Sequence, residues 1–333
     1  MNKVKTFLFL FALCGLSVTS TFAQNGSDLP LTPEKQKQII NSFAETLAKN
    51  YFFQDSVKMI VEKLDLAYKD GMFSNITDDS LFAVSLTNFV RKVMPDNHLG
   101  VRYIKGSQPA SPNRMAPIPR DNRAPMNPTM ANNRPSPIEF KMLENNIGYL
   151  KIDMFDEQPV FFDKIDEVFE NEKETKALII DLSNCRGGSP RGCNYLTSYL
   201  IQPNIQLTSI LQLMNGNIVE HKSYSLEKVK SERYTNKPVF VITGKTTFSA
   251  AENFCYDFQV LKRGTIVGVN TAGGANPGRT FPIGDSYSAF IPFGRSYNHT
   301  TKTNWEGVGI IPDILTSENE ALSKAISLAN GSK

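Results

Sequence analysis

The sequence predicts a two-part α/β protein: a small helical unit, then a largely parallel sheet with helices on both faces. Three observations predict it. Apolar residues recur at three- and four-residue spacing between positions 32 and 93, whereas after Ile138 short β-branched runs alternate with amphipathic stretches. Between them, 106–137 is rich in Pro, Asn, Arg, Met and Ser and has no apolar periodicity.

The chain opens with MNKVKTFLFLFALCGLSVTSTFAQ, in which lysines precede an apolar run ending in Thr-Phe-Ala. This is the pattern of a secretory signal peptide over 1–23, with Thr21 and Ala23 at the small-residue positions and cleavage before Gln24. A membrane anchor is the rival, but the run is short and Gly15 interrupts it; a lipid-attachment reading of Cys14 is opposed by Leu13 before it. The expectation is an exported chain, periplasmic or extracellular, with no stable membrane insertion after signal removal.

In the helical unit (24–105), Ile39, Ile40, Phe43 and Leu47 mark one apolar stripe, and Leu81, Phe82, Leu86, Phe89, Val90 and Val93 mark another. Thr32 before Pro33, and Asp78 before the later stripe, are start signals, so about three helices are expected. The Pro-rich segment cannot bury enough apolar surface to offset its ordering entropy and reads as a flexible linker or insert. In 138–333, IGYLKIDMF (147–155), ALIIDL (177–182), PVFVIT (238–243) and TIVGV (265–269) read as strands. FFDKIDEVFENE, NYLTSYLIQ, SAAENFCYDFQVLKR and SENEALSKAISLAN read as helices, and near-continuous apolar strands separated by helices imply a sheet buried on both sides.

A formal net charge of +3, with neither sign dominating, gives no reason to invoke nucleic acid. Signal removal leaves Cys185, Cys193 and Cys255, an odd number that excludes a disulfide scaffold, although Cys185 and Cys193 are left as a possible pair. No His or Cys spacing matches a zinc site, so no metal or organic cofactor is expected.

Chemistry concentrates where strands end and helices begin. Ser249 in TTFSAAENF stands three residues before Glu252, the spacing of a capping box. The same position suits a nucleophile, because the helix start offers free N–H groups to an oxyanion. At the other junction, Gly187-Gly188 in ALIIDLSNCRGGSPRG makes a tight turn, or brings backbone N–H close to a substrate carbonyl beside that of Ala250. A base would come from His98, His221 or His299. His221 lies in a charged strand-like stretch and His299 in a polar loop, while His98 sits in a turn after MPDN. Glu306, next to the only tryptophan, Trp305, is the most suggestive carboxylate.

Taken together, the order GYLKI, ALIIDLSNCRGG, PVFVITGKTTFSAAENF, GTIVGVNTAGG and NWEGVGIIPD resembles the tail-specific, or C-terminal processing, serine peptidases of the S41 type. Within them it is most similar to the branch that holds the tricorn core and the interphotoreceptor retinoid-binding protein repeats, and DNHLGVRY resembles that branch's helical region. The resemblance implies a ClpP/crotonase-like spiral sheet peptidase domain preceded by a small N-terminal helical domain. No PDZ module is expected, since 106–137 is too short for one. It implies Ser249 as nucleophile, His98 of Asp96-Asn97-His98 as base and Glu306 of the Trp-Glu-Gly motif as acid. Gly187, Gly188 and Ala250 would form the oxyanion hole, with Thr271, Gly273, Gly274 and Trp305 at the substrate. The chain departs from the family in two places. Gly274 stands where the classical branch has its lysine, leaving Lys245 and Lys262 without a family position, and Ser183-Asn184-Cys185-Arg186 lacks the usual Arg and Asn. The implied function is an exported serine endopeptidase acting on proteins or peptides. A non-catalytic binder of apolar ligands or peptides on the same scaffold is the alternative, and an esterase with the same triad is a third.

Overall fold

The computed structural model describes residues 30–105, 137–171 and 174–331. The expected signal peptide, and the Pro-rich segment apart from Pro137, lie outside the described residues.

Three helices form first: α1 (Pro33–Asn50), α2 (Gln54–Lys69) and α3 (Asp79–Val93). The start signals act as the sequence predicts. Thr32 accepts the Lys35 N–H with Pro33 in the first turn, and Asp78 accepts the Leu81 N–H at 2.7 Å. Phe43, Leu47, Ile60, Leu64, Phe82, Leu86 and Val90 are buried between the helices. This core does not close on itself. Strand β1 (Gly100–Tyr103) pairs antiparallel with a strand nearly two hundred residues on, which adds Tyr287, Ala289 and Ile291 to the same cluster, and the strand before it adds Ile283. The helical unit therefore shares its core with the C-terminal part.

Strands β2 (Ile138–Leu143), β3 (Ile147–Ile152), β4 (Ala177–Asp181), β7 (Val239–Thr243), β8 (Thr265–Gly268) and β12 (Ile314–Leu315) build the central sheet in the order β12-β8-β7-β4-β3-β2. Every neighbouring pair is parallel except the edge pair β2–β3. Side-chain alternation along the strands divides the core. Leu178 and Ile180 of β4 face helices α4 (Pro159–Asn171), α5 (Pro190–Leu200) and α6 (Ala250–Val260), while Ala177 and Ile179 face α7 (Ala321–Gly331). Helix α7 presents Ala321, Ala325 and Ala329, and these small residues let it lie close against the sheet.

Two further sheets were not anticipated by period. Strands β5 (Gln206–Met214) and β6 (Asn217–Tyr224) form a hairpin joined by β11 (Gly294–Tyr297), and β9 (Gly278–Gly284) and β10 (Tyr287–Pro292) carry β1. Strands β6 and β9 expose most of their residues, and polar positions interrupt the apolar ones in β5, β10 and β11. They matter because they wall the space in front of the carboxyl ends of β4 and β7.

Candidate active site

Strands β4 and β7 are adjacent and parallel, so the loops that follow them meet at one edge of the sheet. Side chains and backbone stitch these loops together. Thr247 donates to the Leu182 carbonyl at 2.7 Å, Thr246 donates to that of Ser183 at 2.8 Å, and the Phe248 N–H donates to the Cys185 carbonyl at 3.0 Å. On the other side, Phe155 N–H donates to Gly187 O and Ser189 N–H to Phe155 O, both at 2.8 Å. The 183–186 loop is thus tied down by its own backbone, although it lacks the family's Arg and Asn.

Ser249 opens α6 with φ +56° and ψ −119°, a conformation that an L-residue adopts only under constraint. The constraint comes from Glu252. Its fully buried carboxylate accepts the Ser249 N–H (2.9 Å), the Gly273 N–H (2.6 Å), the Gly274 N–H (2.8 Å) and the Thr271 hydroxyl. Burial raises its pKa, and the four donors oppose that rise. The carboxylate that the sequence marks as a capping partner is therefore a hub, fixing the 271–274 loop to the serine.

His98 reaches Ser249 from the turn between α3 and β1. Its Nε2 stands 3.0 Å from the Ser249 hydroxyl. The turn is pinned from several sides. Asp96 accepts the His98 N–H at 3.1 Å and, on its other oxygen, the Tyr51 hydroxyl and the Asn276 amide. Arg91 donates to the carbonyls of Leu99 and Asn97, and the Asn97 amide donates to the carbonyls of Ala272 and Gly273. The imidazole lies between Phe248 and Phe290, at 4.5 and 5.5 Å between ring centres. Desolvation there, with Arg91 nearby, lowers its pKa to about 4.

Glu306 accepts the Asn97 N–H at 3.0 Å and the Ala275 N–H at 2.5 Å, so it grips the backbone of the turn that carries His98. Burial pushes its pKa up to about 7, against these two donors, with Asp96 and Glu252 adding to the rise. One ligating atom each from Asp96, His98 and Glu306 lies within 4.8 Å of the others, the one such trio among the described residues. This is where a cation would fit, and it coincides with the histidine facing the serine. The His98 Nδ1 is buried with no hydrogen-bond partner among the described residues.

Ser249 and His98 open into a cleft of about 960 Å³. Gly188 and Ala250 also line it, and their N–H groups have no intramolecular partner among the described residues. Gly187, at φ +96°, packs under the serine instead, where a Cβ would lie 2.7 Å from the Ser249 Cβ. Of the residues expected at the substrate, Gly274 and Trp305 line the cleft, and the Trp305 indole N–H donates to Gly274 O. Thr271 and Gly273, also expected at the substrate, do not line the cleft, and the Thr271 hydroxyl and Gly273 N–H donate to Glu252. His221 lines the cleft from β6, and His299 pairs with Glu220 away from Ser249. Lys245 and Lys262 do not line it. Cys185, Cys193 and Cys255 are free and buried, and burial raises all three thiols, Cys185 to about 12. The possible Cys185–Cys193 pairing is not formed.

Sequence reasoning missed Tyr51, Arg91 and Asn276, none of which carries a local signal, and Asp96 had one only through the motif it shares with His98. No described helix is long and apolar enough to cross a membrane.

Comparison with known proteins bears on the family and the fold. The family model of peptidase family S41 matches residues 146–316, and that of the N-terminal domain of peptidase S41 in eukaryotic IRBP matches residues 27–143. A protein of Parabacteroides merdae crystallised as a candidate peptidase superposes with a TM-score of 0.61 at 19% identity, over 88% of this chain and 96% of that one. The tricorn protease gives 0.55 at 12% identity, over 89% and 37%. The photosystem II D1 C-terminal processing protease gives 0.50 at 13% identity, over 90% and 97%. These likenesses establish a shared mixed α/β fold with a helical N-terminal region.

Proposed function

Since the chain belongs to peptidase family S41 and is a serine peptidase, we propose that it is an exported endopeptidase that cleaves proteins or peptides through Ser249, His98 and Glu306. One observation carries the reading: a histidine 151 residues away in sequence stands 3.0 Å from the hydroxyl of a strained, helix-initiating serine on a large cleft.

Ser249 attacks the scissile carbonyl as His98 Nε2 takes its proton. The imidazole is neutral and ready to accept, because its burial between two phenylalanines disfavours the charged form. Once protonated, it is a buried cation beside the carboxylates of Glu306 and Asp96, which stabilise it through space. Glu306 also fixes its position through the Asn97 backbone. The N–H groups of Gly188 and Ala250 receive the oxyanion, the second reinforced by the positive end of α6. The protonated imidazole then returns its proton to the leaving amine, and water repeats the sequence on the acyl-enzyme. The export reading rests on the first 23 residues alone.

The test is turnover of an unstructured protein, with labelling by a fluorophosphonate and mass mapping of the adduct. Cleavage, an adduct on Ser249, and loss of both in Ser249→Ala and His98→Ala variants are expected. A folded wild type that neither cleaves nor labels, yet melts higher with apolar ligands, would leave the scaffold as a binder.

A further inference from the structure

The nucleophile's own helix carries a second functional group into the cleft. Ser249, Asn253 and Asp257 recur every four residues, so they share one face of α6, and all three line the cleft. Asp257 is 2% exposed. Its Oδ1 accepts the Thr208 N–H (2.9 Å), the Thr208 hydroxyl (2.7 Å) and the Asn298 amide (3.3 Å), and its Oδ2 accepts the Asn253 amide (3.0 Å). Every one of these donors is neutral. No Lys, Arg or His pairs with Asp257 among the described residues.

A buried carboxylate without a cation is costly and, once ionised, gains more from an arriving positive charge than an exposed one does. Burial raises its pKa to about 6, with the donors holding it down, so the group is ionised at neutral pH. It is also the one carboxylate among the described cleft-lining residues. The cleft's other fixed charges, Arg91, Arg102, Arg186 and Lys222, are all positive. A cationic side chain entering the cleft therefore has one favourable place to go.

Depth fits as well. Eight residues of helix separate the Ser249 and Asp257 Cα atoms by ~12 Å, and helical side chains lean toward the N-terminus, which brings the carboxylate nearer the serine. The reacting carbonyl sits ~3 Å from the nucleophile, and the four-carbon stem of lysine reaches about 6 Å beyond its Cα. Together these spans close the distance, while Cys193, Leu207 and Trp305 supply apolar walls for the stem.

We propose that Asp257 is the floor of an acyl-side specificity pocket that takes the lysine or arginine immediately before the scissile bond. The proposal rests on the peptidase reading of Ser249 and assigns its substrate class.

The test uses the mature chain and peptidyl-aminomethylcoumarins that differ only in the residue before the coumarin: lysine, arginine or norleucine, which has the lysine stem without its charge. Wild type is expected to favour lysine and arginine over norleucine by about 100-fold in kcat/KM. In Asp257→Asn, checked as folded by its melting curve, that ratio should collapse toward one. A wild type indifferent to the charge overturns the proposal without recourse to any variant, and so does a folded Asp257→Asn that keeps the ratio. A separate arm titrates lysine- and norleucine-ended peptides into Ser249→Ala. If nothing is cleaved but the lysine peptide binds about tenfold tighter, and Asp257→Asn in that background erases the difference, the pocket stands and the endopeptidase reading fails. Equal binding of the two peptides sinks the pocket.

Discussion

Replacing Glu252 with glutamine changes almost no volume and strikes at the centre of the site. The carboxylate takes two donors on each oxygen: the Thr271 hydroxyl and Gly273 N–H on Oε1, and the Ser249 and Gly274 N–H groups on Oε2. A glutamine can satisfy only one of these pairs, because its amide nitrogen is a donor that must face the other. Two buried N–H groups, or one N–H and one hydroxyl, then lose their acceptor at about 1–3 kcal/mol each. The two surviving bonds weaken as well, because they are no longer charge-assisted. Against this, the variant no longer buries a charge, whose cost shows in the raised pKa of Glu252. The net expectation is a loss of about 2–4 kcal/mol of stability. The catalytic cost should exceed what unfolding explains, because the Ser249 backbone and the Gly274 loop beside His98 are released together. A Cβ on Gly274 would lie 2.8 Å from the His98 ring, which shows how closely that loop bears on the base. Urea unfolding gives the first quantity and the rate of fluorophosphonate labelling under folding conditions gives the second, with a fall of about 10–100-fold expected. A variant that unfolds at the wild-type midpoint and labels at the wild-type rate would refute the hub.

Three further outcomes follow from the same geometry. Because Ser249 occupies φ +56°, Ser249→Gly should be more stable in urea than Ser249→Ala by about 1 kcal/mol, both lacking the hydroxyl; equal or reversed stabilities would deny strain at the nucleophile. Gly188→Ala would set a Cβ 2.0 Å from the Phe155 carbonyl at φ +125°, so it should abolish labelling and cost more than about 2 kcal/mol, a result checked by coupling the labelling assay to a melt. For pH, Glu306 titrates near 7 in the fold against an ordinary 4.5, so its stabilising contribution is complete below pH 4.5 and is lost as pH rises through 7. Activity runs the other way: the ionised carboxylate is what steadies the imidazolium, and kcat/KM should climb through about pH 7 as the Glu306–Asp96 cluster loses its proton. His98, lowered from 6.5 to about 4, is already neutral there, and its own contribution to stability is present above pH 6.5 and lost as pH falls toward 4. A kcat/KM that is flat from pH 5 to 8, or a Glu306→Gln variant that retains the rise, would contradict this assignment.

What the sequence by itself determined was whatever depends on neighbours along the chain. Thr32 and Asp78 announce helices because a cap is a hydrogen bond three residues long, and ALIIDL and VFVIT announce buried strands because a strand covered on both faces needs only apolar residues in a row. The order of motifs then pointed to the family and, through that resemblance, to Ser249, His98 and Glu306 as candidates. What the tertiary structure decided was which groups meet. Nothing within a few residues of Glu252 says that Thr271, Gly273 and Gly274 will turn to it and hold it to the Ser249 loop. Nor does the turn at Asp96 reveal that Tyr51, Asn276 and Arg91 will hold it, or that a hairpin of modest polar strands will bring Thr208 against Asp257. The physical reason is the same in each case. A buried carboxylate must collect its donors from whatever backbone the fold brings within about 3 Å, and that neighbourhood is set by how the sheets and helices pack rather than by the residues beside it in the chain.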